Sequence, residues 1–355
     1  MISQQSQEPD AGNSAIRPRA LVLQTGFVGD AVIASALFAP LYEAGYETYA
    51  MVTPACLPLI CNHPALAGVI ADDKRQSRRG LRGLMDMAAM LRHLGFALAL
   101  SPHRSHRTSL LLWMAGIPRR IGFASSPLPF LYTQRVVVEP GEHQLQRNRR
   151  LLAAAGIQSP SFAMSLCMRT QAQAQAHEML RGLGRPLIGV APGSAWATKR
   201  WPPEKYAATL QRLAADYPAA GIVLLGGPQE REAAARIAAI CRRPLRDLSG
   251  KTSLEQLCAV IQCLDLLICN DSAPVHIAGA YGVATLVIFL ATHPRFGFGP
   301  VAQPFRIAQV DLPCRPCSPH GGARCPLSHF DCARSLEPAT VADLARELLQ
   351  GARQS

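Results

Sequence analysis

From about residue 20 onward, the sequence alternates between short apolar runs and longer amphipathic stretches. The segment RALVLQTGFVGDAVIASALFAPLYEAG reads as a buried strand, a glycine-bearing turn and a helix. Later, GIVLLGG precedes QEREAAARIAAIC, and DLLICN precedes SAPVHIAGAYG. Such alternation is typical of a parallel sheet covered by helices on both faces. At 355 residues the chain is long enough for two domains, so we predict two Rossmann-like, doubly wound α/β lobes.

A polar helical segment that ends in Gly and Pro, QAQAQAHEMLRGLGRP, separates the two halves. We predict a disordered polar leader over residues 1–18, an N-terminal lobe over 19–178, a C-terminal lobe over 179–336 and a closing helix over 337–355. The leader lacks the apolar core of a secretory signal, and the sequence contains no run of 18 apolar residues. We therefore expect a cytoplasmic protein.

The charge balance indicates an anionic partner. Lys and Arg number 36 against 24 Asp and Glu, which gives a formal charge of +12. Nucleic acid, a lipid surface and a phosphorylated substrate would each fit that charge. The basic residues are spread among loops, and an aromatic content of 6% offers no series of stacking platforms, which argues against nucleic acid.

The first loop of chemical interest is TGFVGDAV, directly after the first strand. Its G-x-x-G-D spacing is neither the dinucleotide fingerprint nor a P-loop. Gly26 and Gly29 permit a tight backbone close to a ligand, and Asp30 lies at the start of the next helix. Asp30 either caps that helix or takes a proton from a hydroxyl nucleophile, and both roles are compatible.

Two later loops carry groups suited to phosphate. In VAPGSAWATKRWPPEKYA, Lys199 and Arg200 lie between a strand end and a helix start; they either reach phosphate oxygens or form a solvated basic loop. In CNDSAPVHIAGAYG, we expect Asp271 and Ser272 to cap a helix whose first amides form an anion site fit for a diphosphate. His276, one turn inside, faces either that ligand or the sheet.

Taken together and in order, GFVGDAV, PGSAWATKRWP, the segment from DLSGKTSLEQLC to GVATLVIF, and GP at 299–300 resemble the bacterial lipopolysaccharide heptosyltransferases, glycosyltransferase family nine, with heptosyltransferase II the nearest type. The resemblance implies a GT-B fold, with two lobes facing a central cleft and a last helix that can return to the first lobe. It also implies inverting, metal-independent transfer of L-glycero-D-manno-heptose from ADP-heptose to the inner core of lipopolysaccharide. That acceptor lies at the cytoplasmic face of the inner membrane.

The resemblance also implies roles for individual residues. Asp30 becomes the general base, and Lys199 with the helix N-terminus at 272–276 stabilises the departing ADP. The implied donor-binding residues are Gly29, Ser194, Lys199, Arg200, Gln229, Glu230, Asp271, Ser272, Ala273, Val275 and His276. Arg104 and Arg107 would grip carboxylates or phosphates of an anionic, lipid-linked acceptor, either Kdo-lipid A or heptosyl-Kdo-lipid A.

The sequence departs from the family pattern at two loops. Where some members have an acidic residue for the donor ribose, this chain has GGPQERE, so either Gln229 or Glu230 could serve. FLATHPRFGFGP lacks the usual glycine but keeps Thr292 and Pro294. A relative that uses another nucleotide-sugar or another surface glycan therefore remains an alternative, as does a non-enzymatic protein that binds anions or nucleic acid.

Two further segments carry clustered residues. Cys314, Cys317, Cys325 and Cys332 are spaced x2, x7 and x6, which fits either reduced thiols in a proline-rich loop or a closed structural zinc site. Even with zinc bound, four thiolates would leave the metal no open position for catalysis. The resemblance implies that catalysis requires no cofactor. The basic segment DDKRQSRRGLRG is either a solvated loop or a contact with anionic headgroups.

Overall fold

The computed structural model describes residues 2–4, 17–74, 80–301 and 304–351. The chain forms two compact units, with the boundary between Cys167 and Met168. The predicted boundary at 178/179 is one helix later. That helix packs in the second unit, where the Glu255 carboxylate accepts a hydrogen bond from the Arg169 backbone N–H at 3.0 Å.

Among the described residues, unit 1 has seven strands and six α-helices. The strands are Ile2–Gln4 (β1), Arg19–Gln24 (β2), Glu47–Val52 (β3), Gly68–Ala71 (β4), Phe96–Ser101 (β5), Arg119–Phe123 (β6) and Gln134–Val136 (β7). The helices are Val28–Ala34 (α1), Phe38–Glu43 (α2), Leu57–Ile60 (α3), Gly80–Leu94 (α4), His106–Met114 (α5) and Gln144–Ala154 (α6).

Unit 2 has six strands and seven α-helices among its described residues. The strands are Leu187–Ala191 (β8), Gly221–Leu224 (β9), Arg246–Asp247 (β10), Leu266–Asn270 (β11), Thr285–Ile288 (β12) and Phe305–Ala308 (β13). The helices are Thr170–Met179 (α7), Pro203–Asp216 (α8), Arg231–Ile240 (α9), Leu254–Gln262 (α10), Ala273–Tyr281 (α11), Asp331–Arg334 (α12) and Pro338–Gly351 (α13). Short 3-10 helices in the two units span Ser35–Leu37, Pro54–Cys56, Pro129–Leu131, Ala197–Lys199, Pro228–Glu230 and Pro294–Phe296.

Both sheets have the doubly wound order that the sequence predicted. Unit 1 runs β1-β4-β3-β2-β5-β6-β7, and unit 2 runs β10-β9-β8-β11-β12-β13. Apart from β1, which pairs antiparallel with β4, the strands pair in parallel. The strand order reverses between β2 and β5 in unit 1 and between β8 and β11 in unit 2. Ligands of such sheets bind beyond the carboxyl ends of the strands at this reversal.

The ends of the chain differ in part from the expectation. Ile2–Gln4, predicted as part of a disordered leader, is a strand that supplies backbone partners to β4 at the edge of the sheet. Residues 1 and 5–16 of that leader, and the last four residues, lie outside the described residues. Helix α13 packs on α8 and on strands β11 to β13 of unit 2. Its return to the first lobe stays a prediction.

Each unit has its own core of buried apolar residues. Leu21, Met51 and Leu91 belong to the core of unit 1, and Ile268, Leu286 and Leu348 to the core of unit 2. The inner strands are buried along almost their whole length because helices cover both faces of each sheet; they are β2, β3 and β5 in unit 1 and β8, β9, β11 and β12 in unit 2. No helix in the described part of the chain has the length and apolar character needed to cross a bilayer.

Candidate active site

The loop after β2 is shaped around Asp30. Its Oδ2 accepts a hydrogen bond from the Phe27 backbone N–H at 3.1 Å, and Gln24 Oε1 accepts one from the Gly26 N–H at 3.1 Å. A Cβ on Gly26 would lie 2.8 Å from Asp30 Oδ2 and 2.9 Å from Gln24 Oε1, so a larger residue here would require these side chains to shift. Gly29 is buried in the first turn of α1. The predicted capping role of Asp30 is confirmed, and its role as a base stays a prediction.

A polar cluster joins the ends of β2 and β5, where the strand order of unit 1 reverses. Lys74 Nζ donates to the Thr25 carbonyl at 2.6 Å, and His103 Nδ1 lies 3.0 Å from Thr108 Oγ1 and 3.3 Å from Thr25 Oγ1. Burial, and then the charges of Lys74 and Arg104, lower the pKa of His103 to about 4. His103 is therefore neutral at physiological pH, and the positive charge here belongs to Lys74 and Arg104.

The two predicted acceptor arginines lie in different surroundings. Arg107 donates to both carboxylate oxygens of the buried Asp72, at 3.2 and 3.3 Å. Its acceptor role stays a prediction. Arg104 is exposed and lies 3.4 Å from Ser125 Oγ. Sequence reasoning missed Arg147 of α6, whose buried Nε has no hydrogen-bond partner among the described residues. Burial, and then the charge of Arg104, lower the pKa of Arg147.

In unit 2, an ion pair lies where β8 and β11 end. Lys199 Nζ is 2.7 Å from Asp271 Oδ2, and Thr292 Oγ1 donates to the same oxygen at 2.7 Å. The Lys199 side chain is only 14% exposed, so the solvated-loop interpretation is wrong for this residue. We expected Asp271 to help cap the next helix. Its carboxylate instead contacts Lys199 and Thr292, and the N-cap residue of that helix is Ser272. The loops after β8, β11 and β12 thus meet at one carboxylate.

The N-terminus of α11 follows directly after Asp271. Ser272 is the N-cap residue, but its hydroxyl makes no capping bond and instead donates to the Asn270 carbonyl at 3.3 Å. Pro274 has no N–H, and the Val275 N–H donates to the Ser272 carbonyl at 3.1 Å. The predicted set of amides at 272–276 is therefore too large. The helix tip has the amides of Ser272 and Ala273 to offer an anion.

Glu230 is the residue of GGPQERE that turns back toward the first loop of unit 2. Its Oε2 accepts a hydrogen bond from the Gly227 N–H at 2.8 Å. A Cβ on Gly193 would lie 2.3 Å from Glu230 Cγ, so the glycine makes room for this side chain. Gln229 is exposed. Between the two candidates for the donor ribose, the geometry favours Glu230.

The remaining predicted donor residues differ in exposure. Ser194 is 7% exposed, and its carbonyl accepts a hydrogen bond from Arg200 Nε at 2.8 Å. The Arg200 guanidinium is thereby tied to its own loop, although the residue is exposed. His276 and Val275 are 6% and 2% exposed. Burial of His276 agrees with the packing interpretation that the sequence left open.

Asn270 is a second residue that sequence reasoning missed. Its Oδ1 accepts hydrogen bonds from the Trp201 N–H at 3.2 Å and the Tyr206 hydroxyl at 2.9 Å, and its Nδ2 donates to the Pro192 carbonyl at 2.6 Å. One fully buried amide thus fixes the loop after β8 to the end of β11. The sequence places Asn270 at a strand end, which is a weak signal, and does not indicate its distant partners.

The four cysteines of the 311–332 segment, here called the Cys-rich loop, are free thiols. Burial raises the pKa of Cys317 and of Cys332, which favours their protonated form. Across the described ranges, no three His, Cys, Asp or Glu side chains are grouped closely enough to hold a metal ion. Both interpretations of Cys314, Cys317, Cys325 and Cys332, reduced thiols and a structural zinc site, stay predictions.

Residues 85–325 match the sequence model of glycosyltransferase family 9 (heptosyltransferase). Lipooligosaccharide heptosyltransferase 2 of Campylobacter jejuni (strain ATCC 700819 / NCTC 11168) is 30% identical over 172 residues, which is 47% of this chain and 52% of that protein. The chain thus spans about half the length of that relative. Lipopolysaccharide heptosyltransferase 2 of Escherichia coli K12 is 24% identical over 294 residues, 78% of this chain and 84% of that protein.

Solved structures agree with the fold. The glycosyl transferase family 9 protein of Veillonella parvula has a TM-score of 0.83 at 21% identity, over 94% of this chain and 98% of that one. E. coli ADP-heptose LPS heptosyltransferase II has a TM-score of 0.77 at 21% identity, over 94% and 99%. E. coli heptosyltransferase WaaC with ADP has a TM-score of 0.70 at 18% identity, over 93% and 99%. The predicted GT-B fold class is confirmed.

Proposed function

The chain belongs to glycosyltransferase family 9, and on that premise we propose that it transfers L-glycero-D-manno-heptose from ADP-heptose to the inner core of lipopolysaccharide. The acceptor is Kdo-lipid A or heptosyl-Kdo-lipid A, and the anomeric carbon is inverted. The names of the relatives support the reaction class. WaaC structures with ADP and with ADP-2-deoxy-2-fluoro heptose support the donor class.

The observation that carries this proposal is the position of Lys199. As the bond between the sugar and the diphosphate breaks, negative charge grows on the ADP oxygens. An ammonium fixed 2.7 Å from Asp271, at the strand reversal and beside the α11 tip, is suited to neutralise that charge. Asp271 holds the ammonium in place before the nucleotide binds. This arrangement calls for no metal ion at the diphosphate.

Asp30 supplies the base. In direct displacement, the acceptor hydroxyl oxygen forms a bond to the anomeric carbon while the bond to the ADP oxygen breaks and its electron pair leaves with ADP. The hydroxyl proton passes to Asp30. Accepting a hydrogen bond from Phe27 orients this carboxylate and leaves it lone pairs for the proton.

Glu230 is the proposed ligand for the donor ribose. Its carboxylate accepts from one backbone amide and can accept from hydroxyl groups as well. The Gly193 backbone beneath it would let the nucleotide approach closely.

Basic side chains of unit 1 support an anionic acceptor. The buried Nε of Arg147 is a charged donor that lacks a partner among the described residues, and Arg104 is close enough to depress its pKa. A carboxylate or phosphate that reached both guanidinium groups would be bound by both. We assign Arg104 and Arg147 to that role.

The membrane face is proposed from helix α4. Leu81 and Met85 are 66% and 54% exposed, one turn apart and next to the exposed Arg82. Apolar side chains flanked by arginine suit an anionic lipid surface, here the cytoplasmic face of the inner membrane. Residues 75–79 of the basic segment lie outside the described residues.

A donor screen tests this function. Purified protein is incubated with Kdo-lipid A or heptosyl-Kdo-lipid A and with ADP-, UDP- or GDP-linked sugars, and released nucleotide is measured. We expect ADP release from ADP-heptose only, and a product whose anomeric configuration is opposite to that of the donor. Transfer from a UDP- or GDP-sugar would replace the donor assignment. Anion binding with no nucleotide release from any donor would favour the non-enzymatic alternative.

A further inference from the structure

Part of the Cys-rich loop lies against the lysine that the proposed function uses. We propose that residues 315–322 of this loop position the Lys199 ammonium, with Gly321 and Thr198 as the positioning residues. The inference rests on the proposed function, because it concerns how Lys199 is held ready for the diphosphate. It assigns the loop a task that requires no metal.

Gly321 forms a wall along the lysine side chain. A Cβ on Gly321 would lie 3.1 Å from Lys199 Cγ, 3.2 Å from Lys199 Cε and 3.2 Å from Thr198 Oγ1. Its φ of +83° is a backbone conformation that favours glycine. The turn is fixed by Ser318, whose hydroxyl accepts from the Gly321 N–H at 2.9 Å and donates to the Gly321 carbonyl at 3.1 Å.

Thr198 joins this wall to the lysine's own backbone. Its N–H and its hydroxyl both donate to the Gly322 carbonyl, at 3.1 and 3.0 Å, and its hydroxyl accepts from the Gly322 N–H at 2.8 Å. Thr198 is 3% exposed, so these bonds form away from water. These hydrogen bonds join the Cys-rich loop at Gly322 to the residue immediately before Lys199, although the two lie more than 100 residues apart in sequence.

The base of the same segment fixes the other half of the ion pair. Arg315 donates to the carbonyls of Phe289 and Thr292 at 3.0 and 3.1 Å, and the Cys317 N–H donates to the Ala291 carbonyl at 2.8 Å. Thr292 in turn donates its hydroxyl to Asp271. The segment therefore contacts the lysine stem and holds the loop after β12, whose Thr292 donates to the carboxylate partner of the lysine.

A lysine side chain has four rotatable bonds, and ordering it on binding costs conformational entropy. The stem packs against Gly321 and the ammonium pairs with Asp271. The side chain is therefore already ordered in the folded protein, and nucleotide binding does not have to order it. A methyl group on Gly321 would be in tight contact with the stem, and we expect the resulting small shift of the stem to move the ammonium as well.

The test compares Gly321→Ala with Gly182→Ala. Gly182 lies in the same unit with φ +79°, but a Cβ there meets nothing within 4 Å, so the control carries the backbone strain without the contact. ADP affinity is measured by calorimetry on the full chain. We expect Gly321→Ala to weaken ADP binding roughly tenfold and Gly182→Ala to leave it within about twofold. Thr198→Val should also weaken binding, and Thr198→Ser, which keeps the hydroxyl, should restore it.

Each variant is also made in the Lys199→Ala background, where a positioning effect must vanish. If Gly321→Ala and Gly182→Ala bind ADP equally, or if Gly321→Ala has the same effect with and without the lysine, the inference is overturned while the proposed function stands. If Lys199→Ala itself leaves ADP affinity unchanged, the proposed role of Lys199 fails and the positioning inference fails with it.

Discussion

His63 is a titratable side chain held neutral inside unit 1. It is 3% exposed, its Nε2 lies 2.8 Å from Ser165 Oγ, and its Nδ1 accepts from the Ala65 N–H at 3.2 Å. The ring packs edge-on against Phe38 with centroids 5.2 Å apart. Burial lowers the pKa of His63 to about 4. Folding therefore favours the neutral form of this ring.

The lowered pKa of His63 predicts a loss of stability on acidification. Below pH 6.5 the unfolded chain binds a proton at this ring, and the folded chain does not until about pH 4, so stability falls as pH falls through that window. Between pH 7 and pH 5 we expect wild type to lose about 2 kcal/mol more than His63→Gln, measured as the free energy of unfolding in urea. Parallel pH profiles for the two proteins would contradict the assignment.

Removal of the Lys199 side chain is expected to weaken ADP binding. Lys199→Ala removes the ammonium beside Asp271, and we expect ADP affinity measured by calorimetry to fall by roughly tenfold or more, because a charged partner of the diphosphate is lost. Lys251→Ala, at a lysine whose side chain is 60% exposed, should leave affinity unchanged. Equal affinities for wild type and Lys199→Ala would return Lys199 to a purely structural role.

At this scale, sequence predicted some residues and missed others for a physical reason. Asp30 lies in the first turn of the helix after β2 and Lys199 in the connection after β8, and the local pattern is enough to select them. Arg147 and Thr198 were missed because the groups that act on them, Arg104 and Gly322, lie far away in sequence. Sequence spacing carries no information about such contacts.

At the scale of elements, the change of period between strand and helix predicted the alternation and the doubly wound sheets. The unit boundary was predicted one helix too late, because the Gly-Pro signal marks where a helix ends and says nothing about what the helix packs on. Helix α7 packs on α10, and the Arg169–Glu255 pair fixes its first turn.

The contribution of Glu255 to holding the start of α7 can be tested by its removal. It is 4% exposed and accepts from the Arg169 N–H and from Arg169 Nε, both at 3.0 Å, and the hydrogen bond from the Arg169 side chain lowers its pKa. Glu255→Ala should lower the free energy of unfolding by about 1–3 kcal/mol, because the start of α7 loses its acceptor. Glu178→Ala, on the same helix and in an exposed ion pair with Arg181 just beyond the helix end, should cost less than about 0.5 kcal/mol. Similar losses in urea unfolding would contradict this account of α7.

At the scale of the whole molecule, each unit carries one half of the proposed chemistry. The carboxyl edge of the unit 1 sheet presents Asp30 and basic groups for an anionic acceptor, and that of unit 2 presents Lys199 and the α11 tip for a diphosphate. The formal charge of +12 fits both anions but did not distinguish them. The ordered motif set and the family match over residues 85–325 both span the two units.

Turnover of Asp30→Asn tests the central claim most directly. The asparagine amide oxygen can still accept from the Phe27 N–H, so the loop is preserved while the proton acceptor is lost. ADP release from ADP-heptose in the presence of acceptor is measured alongside ADP affinity, with the exposed Asp86→Asn as control. We predict that Asp30→Asn lowers turnover by about 10²–10⁴-fold at unchanged ADP affinity, and that Asp86→Asn matches wild type. Turnover of Asp30→Asn close to that of wild type would contradict the account.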